Sequence, residues 1–410
     1  MAGGIAAIWI GVALMLRSPY LLGARGWLGW CLPAAGILAA ICLCRASFRR
    51  LPVVHPLRLL AVAAVVGGLV AAFSQWRHAR HREAVARMTA AQVPDLGKHL
   101  VVGWLGVEET KALAAKGAIA GVFLTSRDFP PGTSIADIRR TVDALQSVRR
   151  QAGLPVLWIA TDQEGGPVEK LTPPLPPQPP LARLISDLDG AGLADQPQRA
   201  DEITRRVAAY ADSQGQSLAA AGINLNFAPV MDLRSAMEPS ALDFHSKIAT
   251  RALASDPATV ALAGKIYVQT LARHGVTAVL KHFPGLGRTN ADTHHFAATI
   301  DAPVTAMQST DWLPFREVAR TTGAGIMLGH VTVTALDPGH PASCSSAIMR
   351  GLLRQQWGVT GLLVTDDFSM TPIFHRPGGI TRAAEQSMAA GIDLILLCYD
   401  ASAVYDLLAP

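Results

Sequence analysis

Val276-Thr277-Ala278-Val279-Leu280-Lys281-His282-Phe283-Pro284-Gly285 is apolar through Leu280, turns cationic at once, and then breaks on Pro-Gly. A run this short, without a polar face and closed by a Gly/Pro loop, reads as a strand buried on both sides. Such a strand delivers Lys281 and His282 at its exit. The loop that follows ends in Asp292-Thr293-His294, an acidic group two residues before an imidazole. Cations that can grip a polar ligand, followed by a proton-transfer pair, point to an enzyme.

The same pattern recurs along the chain. Candidate strands are Leu100–Leu105, Gly121–Thr125, Val156–Thr161, Ile223–Val230, Thr277–Leu280, Gly325–Leu328, Leu362–Thr365 and Asp393–Leu397. Between them lie helical periodicities such as Ile135–Arg150, Asp201–Ala221, Ala258–His274, Asp311–Thr321 and Arg382–Ala390. Several begin after Ser, Thr or Asp and end before Gly, as capped helices do. Eight near-continuous apolar strands alternating with helices over roughly 300 residues predict an α/β fold, a (β/α)8 TIM-type barrel. An open doubly wound sheet is the alternative, but no Gly-x-Gly-x-x-Gly follows the first strand, and Gly285-Leu286-Gly287-Arg288-Thr289 lacks the phosphate-loop ending. Pro173–Pro180 excludes helix and central strand and reads as a stiff rim segment.

The first 76 residues are different. Gly3–Leu16, Trp27–Cys44 and Leu59–Phe73 are apolar runs without charge, of which the later two approach the length of about 18 residues needed to span a bilayer. Three successive runs do not resemble a cleaved signal peptide. The chain therefore divides into a membrane anchor of two or three helices (1–76), a polar linker helix (77–94) and a barrel (95–410) that is short at its C-terminus. Alternating sides group Arg45, Arg49, Arg50 and Arg58 against Arg17, Arg25, Arg77, Arg80, Arg82 and Arg87, the last set on the side of the barrel. That balance favours the inner (cytoplasmic) membrane with the barrel on its cytoplasmic face over the periplasmic one. The net charge of +5 is concentrated beside these spans, where it suits anionic lipid and gives no reason to expect nucleic acid. Cys344 and Cys398, outside the spans, lack metal-ligand spacing.

In a barrel, chemistry sits where strands end. Those exits read Asp162-Gln163-Glu164-Gly165-Gly166, Asn226 to Asp232, Lys281-His282, Gly329-His330 and Asp366-Asp367. Three of the segments, Asp162 to Gly166, Lys281 to His294 and Thr365-Asp366-Asp367-Phe368-Ser369-Met370, resemble the signatures of family 3 glycoside hydrolases. The likeness is closest to the bacterial β-N-acetylglucosaminidase branch of peptidoglycan recycling, over about residues 95–400. It implies a retaining exo-hydrolase that removes terminal GlcNAc from muropeptides through a covalent glycosyl-enzyme, with neither metal nor cofactor. By the same resemblance Asp366 is the nucleophile and His294 the general acid/base, with Asp292 as its partner. Asp162, Arg251, Lys281 and His282 match positions that hold sugar hydroxyls. His330 and Asp232 are possible lining residues, Asp367 a helix cap or support, and Glu164 a support for the loop around Asp162.

The residue types suit that chemistry independently. A carboxylate attacks the anomeric carbon while an acid protonates the leaving oxygen, and an imidazole both gives and takes a proton near neutrality. Leu286, Arg288 and Pro167 depart from the family pattern, which more commonly carries His, an acidic or polar residue, and Arg there; all three belong to loops at the mouth. Other readings are a β-glucosidase or phosphorylase of the same family, a metal site built on His282, Asp292, His294, His295 and His330, and a membrane sensor that binds muropeptides without cleaving them. The Asp292-Thr293-His294 step favours the acetylglucosaminidase branch, since β-glucosidases of the family usually take their acid from a separate domain.

Overall fold

The computed structural model describes residues 2–48, 55–234, 247–289 and 291–409. Arg49 and Arg50 of the charge balance, and Asn290 of the long loop, lie outside the described residues. The chain forms two compact units, one of residues 1–88 with 405–410 and one of residues 89–404.

In the larger unit eight parallel strands close into a barrel in simple chain order. They are β1 (Leu100–Gly103), β2 (Gly121–Phe123), β3 (Trp158–Thr161), β4 (Leu225–Asn226), β5 (Thr277–Phe283), β6 (Gly325–Leu328), β7 (Leu363–Asp367) and β8 (Leu394–Leu397). The ring runs from Val101 opposite Gly121 round to Leu100 opposite Ile395, which closes it. Inward side chains fill it as a packed core: Val101, Phe123, Ala160, Leu225, Phe227, Val279, Met327, Val364 and Leu396 are all buried. Phe123 and Phe227 stack across it at 6.0 Å. The interior is thus solid, and the C-terminal rim is left as the place for a ligand.

Local sequence explains the surrounding helices. Ser134 and Asp137 form a capping box at the start of Ile135–Gln151. Asp256 accepts from the Thr259 amide to begin Pro257–Arg273, with Pro257 in the first turn where a missing N–H is harmless. The helix Pro197–Ala221 ends on Gly222 at φ 81, a left-handed cap. It starts four residues before the periodicity indicates, because Pro197 opens it.

Among the described residues, two strand pairs lie outside the barrel, and neither is among the strands the sequence predicts. Gln163–Gly165 folds back on Val168–Glu169 as a small antiparallel hairpin, and Ala298–Ile300 runs parallel to Val331–Val333. The fourth barrel strand is also shorter than the run Ile223–Val230: its ladder covers Leu225 and Asn226, and pairing resumes only as an isolated bridge from Val230 to Lys281.

The smaller unit is helical: Ala2–Leu14, Arg25–Phe48 and His55–Arg87. Segments Arg25–Ala46 and His55–Arg87 are long and apolar enough to cross a membrane, whereas Ala2–Leu14 is shorter. The polar stretch after Trp76 is not a separate element but continues the helix from His55. Glycines allow the two long helices to touch: a Cβ on Gly36 would stand 2.9 Å from the Ala64 carbonyl oxygen and 3.2 Å from Gly68 Cα. Within this unit Asp406 pairs with Arg17 at 3.3 Å and His81 at 2.8 Å.

Candidate active site

Two irregularities in the barrel ladders create the site. Between Leu280 and Phe283, β5 spends three residues where β6 spends two, from Ile326 to Leu328. An extra residue of this kind re-aims neighbouring side chains. Lys281 and His282, which regular alternation would send to opposite faces, both enter one polar cluster. Likewise β7 advances from Val364 to Asp367 while β8 advances from Leu394 to Leu396. Asp366 lies in that bulge, partly open to solvent, while Asp367 is buried.

On the β3–β5 side, Lys281 Nζ donates to Asp162 Oδ1 at 2.5 Å and lies 2.6 Å from Glu164 Oε1. Arg251 grips Glu164 with two bonds, Nε to Oε2 at 2.9 Å and Nη2 to Oε1 at 2.6 Å. The Arg251 and Glu164 side chains are 8% and 6% exposed. Burial by itself would raise the Glu164 carboxyl, but Arg251 and Lys281 outweigh it and hold the group down to about 2. Glu164 therefore does more than support the loop around Asp162: it joins both cations. The loop is tied separately, by Asn226 Oδ1 accepting from the Gln163 amide at 2.9 Å and by Tyr210 donating to the Glu164 carbonyl at 2.9 Å.

Asp232, fully buried, organises the next part. Its Oδ2 faces His282 Nδ1 at 2.8 Å, and its Oδ1 accepts from the Leu286 amide at 2.6 Å. One carboxylate thus fixes the His282 ring and the root of the long loop. That root is secured further by Trp312 Nε1, which donates to the Pro284 carbonyl at 3.0 Å. Phe283 packs among Phe315, Trp357 and Trp312 at 5.4, 5.6 and 5.7 Å. Of the family departures, Leu286 is buried and Arg288 pairs with Asp311 at 2.6 Å.

Beyond the root, His294 Nδ1 lies 2.9 Å from Asp292 Oδ1, and the His294 amide donates to the same oxygen at 3.0 Å. Asp292 is wholly buried, while the His294 side chain is 25% exposed. Asp292 thus fixes the ring through Nδ1. Burial lowers the His294 pKa below its ordinary value, although the charges of Asp366 and Asp292 oppose the change. Burial would raise Asp366, but His330, His282 and His294 together bring it below the usual carboxylate value. The site therefore favours an ionised carboxylate at Asp366, whose Oδ1 also accepts from the Asp367 amide at 2.8 Å.

His330 sits behind Asp366. Its Nε2 donates to the Asp367 carbonyl at 2.9 Å and its Nδ1 meets the Ser343 hydroxyl at 2.8 Å. Burial lowers the pKa of this ring, although the charge of Asp366 opposes the change. Asp367 does not cap the following helix; its carboxylate accepts from the amides of Ser369 (2.8 Å), Cys398 (3.1 Å) and Tyr399 (2.8 Å). It clamps the exits of β7 and β8 together. Among the described residues, no group of three or more His, Cys, Asp or Glu is placed to hold a metal ion.

Comparison with known proteins gives the same picture. The family description "Glycosyl hydrolase family 3 N terminal domain" matches residues 84–409. A curated beta-hexosaminidase from Xanthomonas euvesicatoria pv. vesicatoria is 31% identical over 303 residues, 73% of this chain and 83% of that protein. A family 3 beta-N-acetylglucosaminidase from Paenibacillus superposes with a TM-score of 0.65 at 28% identity, over 76% of this chain and 56% of that larger one. NagZ from Neisseria gonorrhoeae, solved in complex with N-trifluoroacetyl-D-glucosamine, gives a TM-score of 0.62 at 28% identity, over 76% of this chain and 83% of that one. With an ionised carboxylate at the exit of β7 and a histidine–aspartate pair on the loop after β5, the chain belongs to glycosyl hydrolase family 3 and is a glycoside hydrolase.

Proposed function

We propose that this glycoside hydrolase is a retaining exo-β-N-acetylglucosaminidase that removes terminal GlcNAc from peptidoglycan-derived muropeptides. The observation that carries the reading is the meeting of the His294–Asp292 dyad with the segment after Asp366, where the Thr371 amide donates to the His294 carbonyl at 3.2 Å, beside the cluster of Lys281, Glu164, Asp162 and Arg251. The beta-hexosaminidase relatives and the GlcNAc analogue in the gonococcal structure support the choice of sugar.

Asp366 attacks the anomeric carbon as the glycosidic C–O bond breaks, and protonated His294 gives its Nε2 proton to the departing oxygen. The sugar is then an ester of Asp366. His294, now neutral, takes a proton from water whose oxygen attacks the same carbon; the ester bond breaks and both groups are restored. Two inversions leave the configuration unchanged. Asp292 orients the ring and stabilises the imidazolium formed in each cycle. Lys281, His282, Arg251 and Asp162 hold the hydroxyls and acetamido group. Their mutual bonds fix them before substrate arrives, which favours the transition state by removing reorganisation.

The test is turnover of chromogenic β-N-acetylglucosaminide and β-glucoside by the detergent-solubilised full-length chain, with Asp366→Ala and His294→Ala alongside. The acetylglucosaminide is preferred, Asp366→Ala loses about 10⁴-fold in kcat, and His294→Ala loses about 10²-fold or more. Preference for the glucoside, or folded wild-type protein that turns over neither, refutes the reading.

We further infer that residues 1–76 anchor the chain as a multi-pass segment in the inner (cytoplasmic) membrane, with 77–94 as linker and the hydrolase of 95–410 on the cytoplasmic face. The two long apolar helices and the arginine balance support this. Trp27, Trp30 and Leu69, 70%, 82% and 67% exposed, give those helices an apolar exterior suited to lipid. Digestion of the hydrolase by protease added to intact spheroplasts would place it on the opposite face.

A further inference from the structure

Asp162 and Glu164, the two carboxylates that meet Lys281, are separated by one residue, Gln163, which no step derived above uses. In extended chain, residues two apart share a face and the one between points away. Asp162 and Glu164 accordingly both reach Lys281 Nζ, at 2.5 and 2.6 Å. The Gln163 side chain instead donates to the Thr172 hydroxyl at 2.8 Å and accepts from the Leu171 amide at 3.1 Å. The spacing of two carboxylates across one cation is therefore set by whatever holds the Gln163 main chain.

Asn226, fully buried at the end of β4, holds it twice. Its Oδ1 accepts from the Gln163 amide at 2.9 Å, and its Nδ2 donates to the Gln163 carbonyl at 3.1 Å. The second Nδ2 hydrogen goes to the Tyr267 hydroxyl at 3.0 Å. Tyr267 stands on the helix Pro257–Arg273 and is itself buried. Burial pushes its pKa well above the ordinary value, so the hydroxyl keeps the proton that it donates to Gln214 Oε1. Gln214 Nε2 then donates to Gln178 Oε1 at 2.9 Å, Gln178 Nε2 to the Tyr210 carbonyl at 3.3 Å, and the Tyr210 hydroxyl to the Glu164 carbonyl at 2.9 Å. Every donor in this circuit points the same way round, so reversing either glutamine amide breaks its bonds on both sides. The circuit starts at the Gln163 peptide and ends at the Glu164 carbonyl. Gly165, at φ 95, packs so near that a Cβ there would collide with the Tyr210 hydroxyl.

We propose that Tyr267, acting through Asn226, is a positioning residue for sugar binding: it fixes the Gln163 peptide and so holds Asp162 and Glu164 in place on Lys281 before substrate arrives. With its hydroxyl removed, Asn226 loses one of three bonds and Gln214 Oε1 loses its donor, both out of reach of water. Asp162, the more exposed of the two carboxylates at 23%, must then be ordered as the sugar binds. That cost falls on binding and appears in KM, while the reacting bond, attended by Asp366 and His294, keeps its kcat. The inference rests on the glycosidase reading above and adds to it a residue that touches neither the sugar nor the reacting atoms.

The test is Tyr267→Phe in the full-length protein, alone and combined with Asp162→Ala, assayed on the chromogenic β-N-acetylglucosaminide. Tyr267→Phe raises KM about tenfold and moves kcat by less than about twofold. In the Asp162→Ala background, whose own KM is raised, the same change adds less than about twofold, because the residue through which it acts is gone. An unchanged KM, a loss confined to kcat, an equal increase in both backgrounds, or an Asp162→Ala protein of native KM overturns the proposal. A hydroxyl that serves stability alone gives the first of these results. Should wild-type protein turn over no substrate, the glycosidase reading fails separately, and the positioning is read by hydrogen exchange. Faster exchange at the Gln163 and Leu171 amides in Tyr267→Phe, with β7 and β8 unchanged, supports it. Equal protection in the two proteins, or a loss spread evenly over the barrel, overturns it.

Discussion

Glu164→Gln isolates the electrostatics that hold the site together. The substitution keeps the shape of the side chain and removes one charge. In the native structure that carboxylate takes three short contacts, Arg251 Nε at 2.9 Å, Arg251 Nη2 at 2.6 Å and Lys281 Nζ at 2.6 Å. An amide offers one acceptor oxygen and turns an NH2 group toward the remaining donor, so at least one contact becomes repulsive. The side chains are buried, 8% exposed for Arg251, 6% for Glu164 and 3% for Lys281, so water relieves little of this.

The magnitude follows from two directions. A carboxyl held at about 2 in place of its ordinary 4.5 reflects roughly 3 kcal/mol of preference for the charged form, at about 1.4 kcal/mol per pKa unit. Breaking a buried pair by removing one partner costs about 3–5 kcal/mol. Because the folded value is depressed, this stabilisation is complete above the unfolded value near 4.5 and is lost as pH falls toward about 2. Urea unfolding of wild type and Glu164→Gln should therefore differ by roughly 3 kcal/mol at pH 7. The difference should stay level between about pH 5.5 and 8 and close as pH drops below about 4.5. A difference under about 1 kcal/mol at pH 7, or one that grows on acidification, refutes the argument. It would mean that the neighbouring carboxylates rearrange to take the place of Glu164.

Two further outcomes follow from the same geometry. The pH profile of kcat/KM reports the free enzyme, in which Asp366 must be ionised and His294 protonated. With Asp366 below 3.8 and His294 below 6.5, the profile is a bell whose alkaline limb falls at acid pH, and Asp292→Asn moves that limb lower still; an alkaline limb above 6.5 contradicts this. Phe283→Ala opens a cavity among Trp312, Phe315 and Trp357 beneath the catalytic loop and should cost about 3–5 kcal/mol in urea unfolding. A cost below about 1 kcal/mol would show that those rings do not carry the loop root.

What could be read in advance divides along a physical line. The strands were legible because a parallel barrel buries both strand faces, so each appears as a short apolar run, and the exits were legible because those runs end on charged residues. Features that depend on pairing between distant segments left little local trace. Ala298–Ile300 beside Val331–Val333 is one example, since neither segment alone is distinguishable from loop. The interrupted β4 is another: Pro229 has no N–H to place in the ladder, so regular pairing stops at Asn226 and returns only as the Val230–Lys281 bridge. Helix continuity likewise ignored polarity, so the apolar third run and the charged segment after it became one helix from His55 to Arg87. At the site, motif order located Asp366, His294 and Lys281, but not the partner each would choose. Glu164 read as a loop support because its neighbours Gly165 and Gly166 signal a turn. Its role as the counter-ion of two cations arises only when β3, β5 and the turn bearing Arg251 converge. Chemistry concentrated in consecutive residues is therefore readable from the chain, whereas the partners those residues find across the rim are a property of closure.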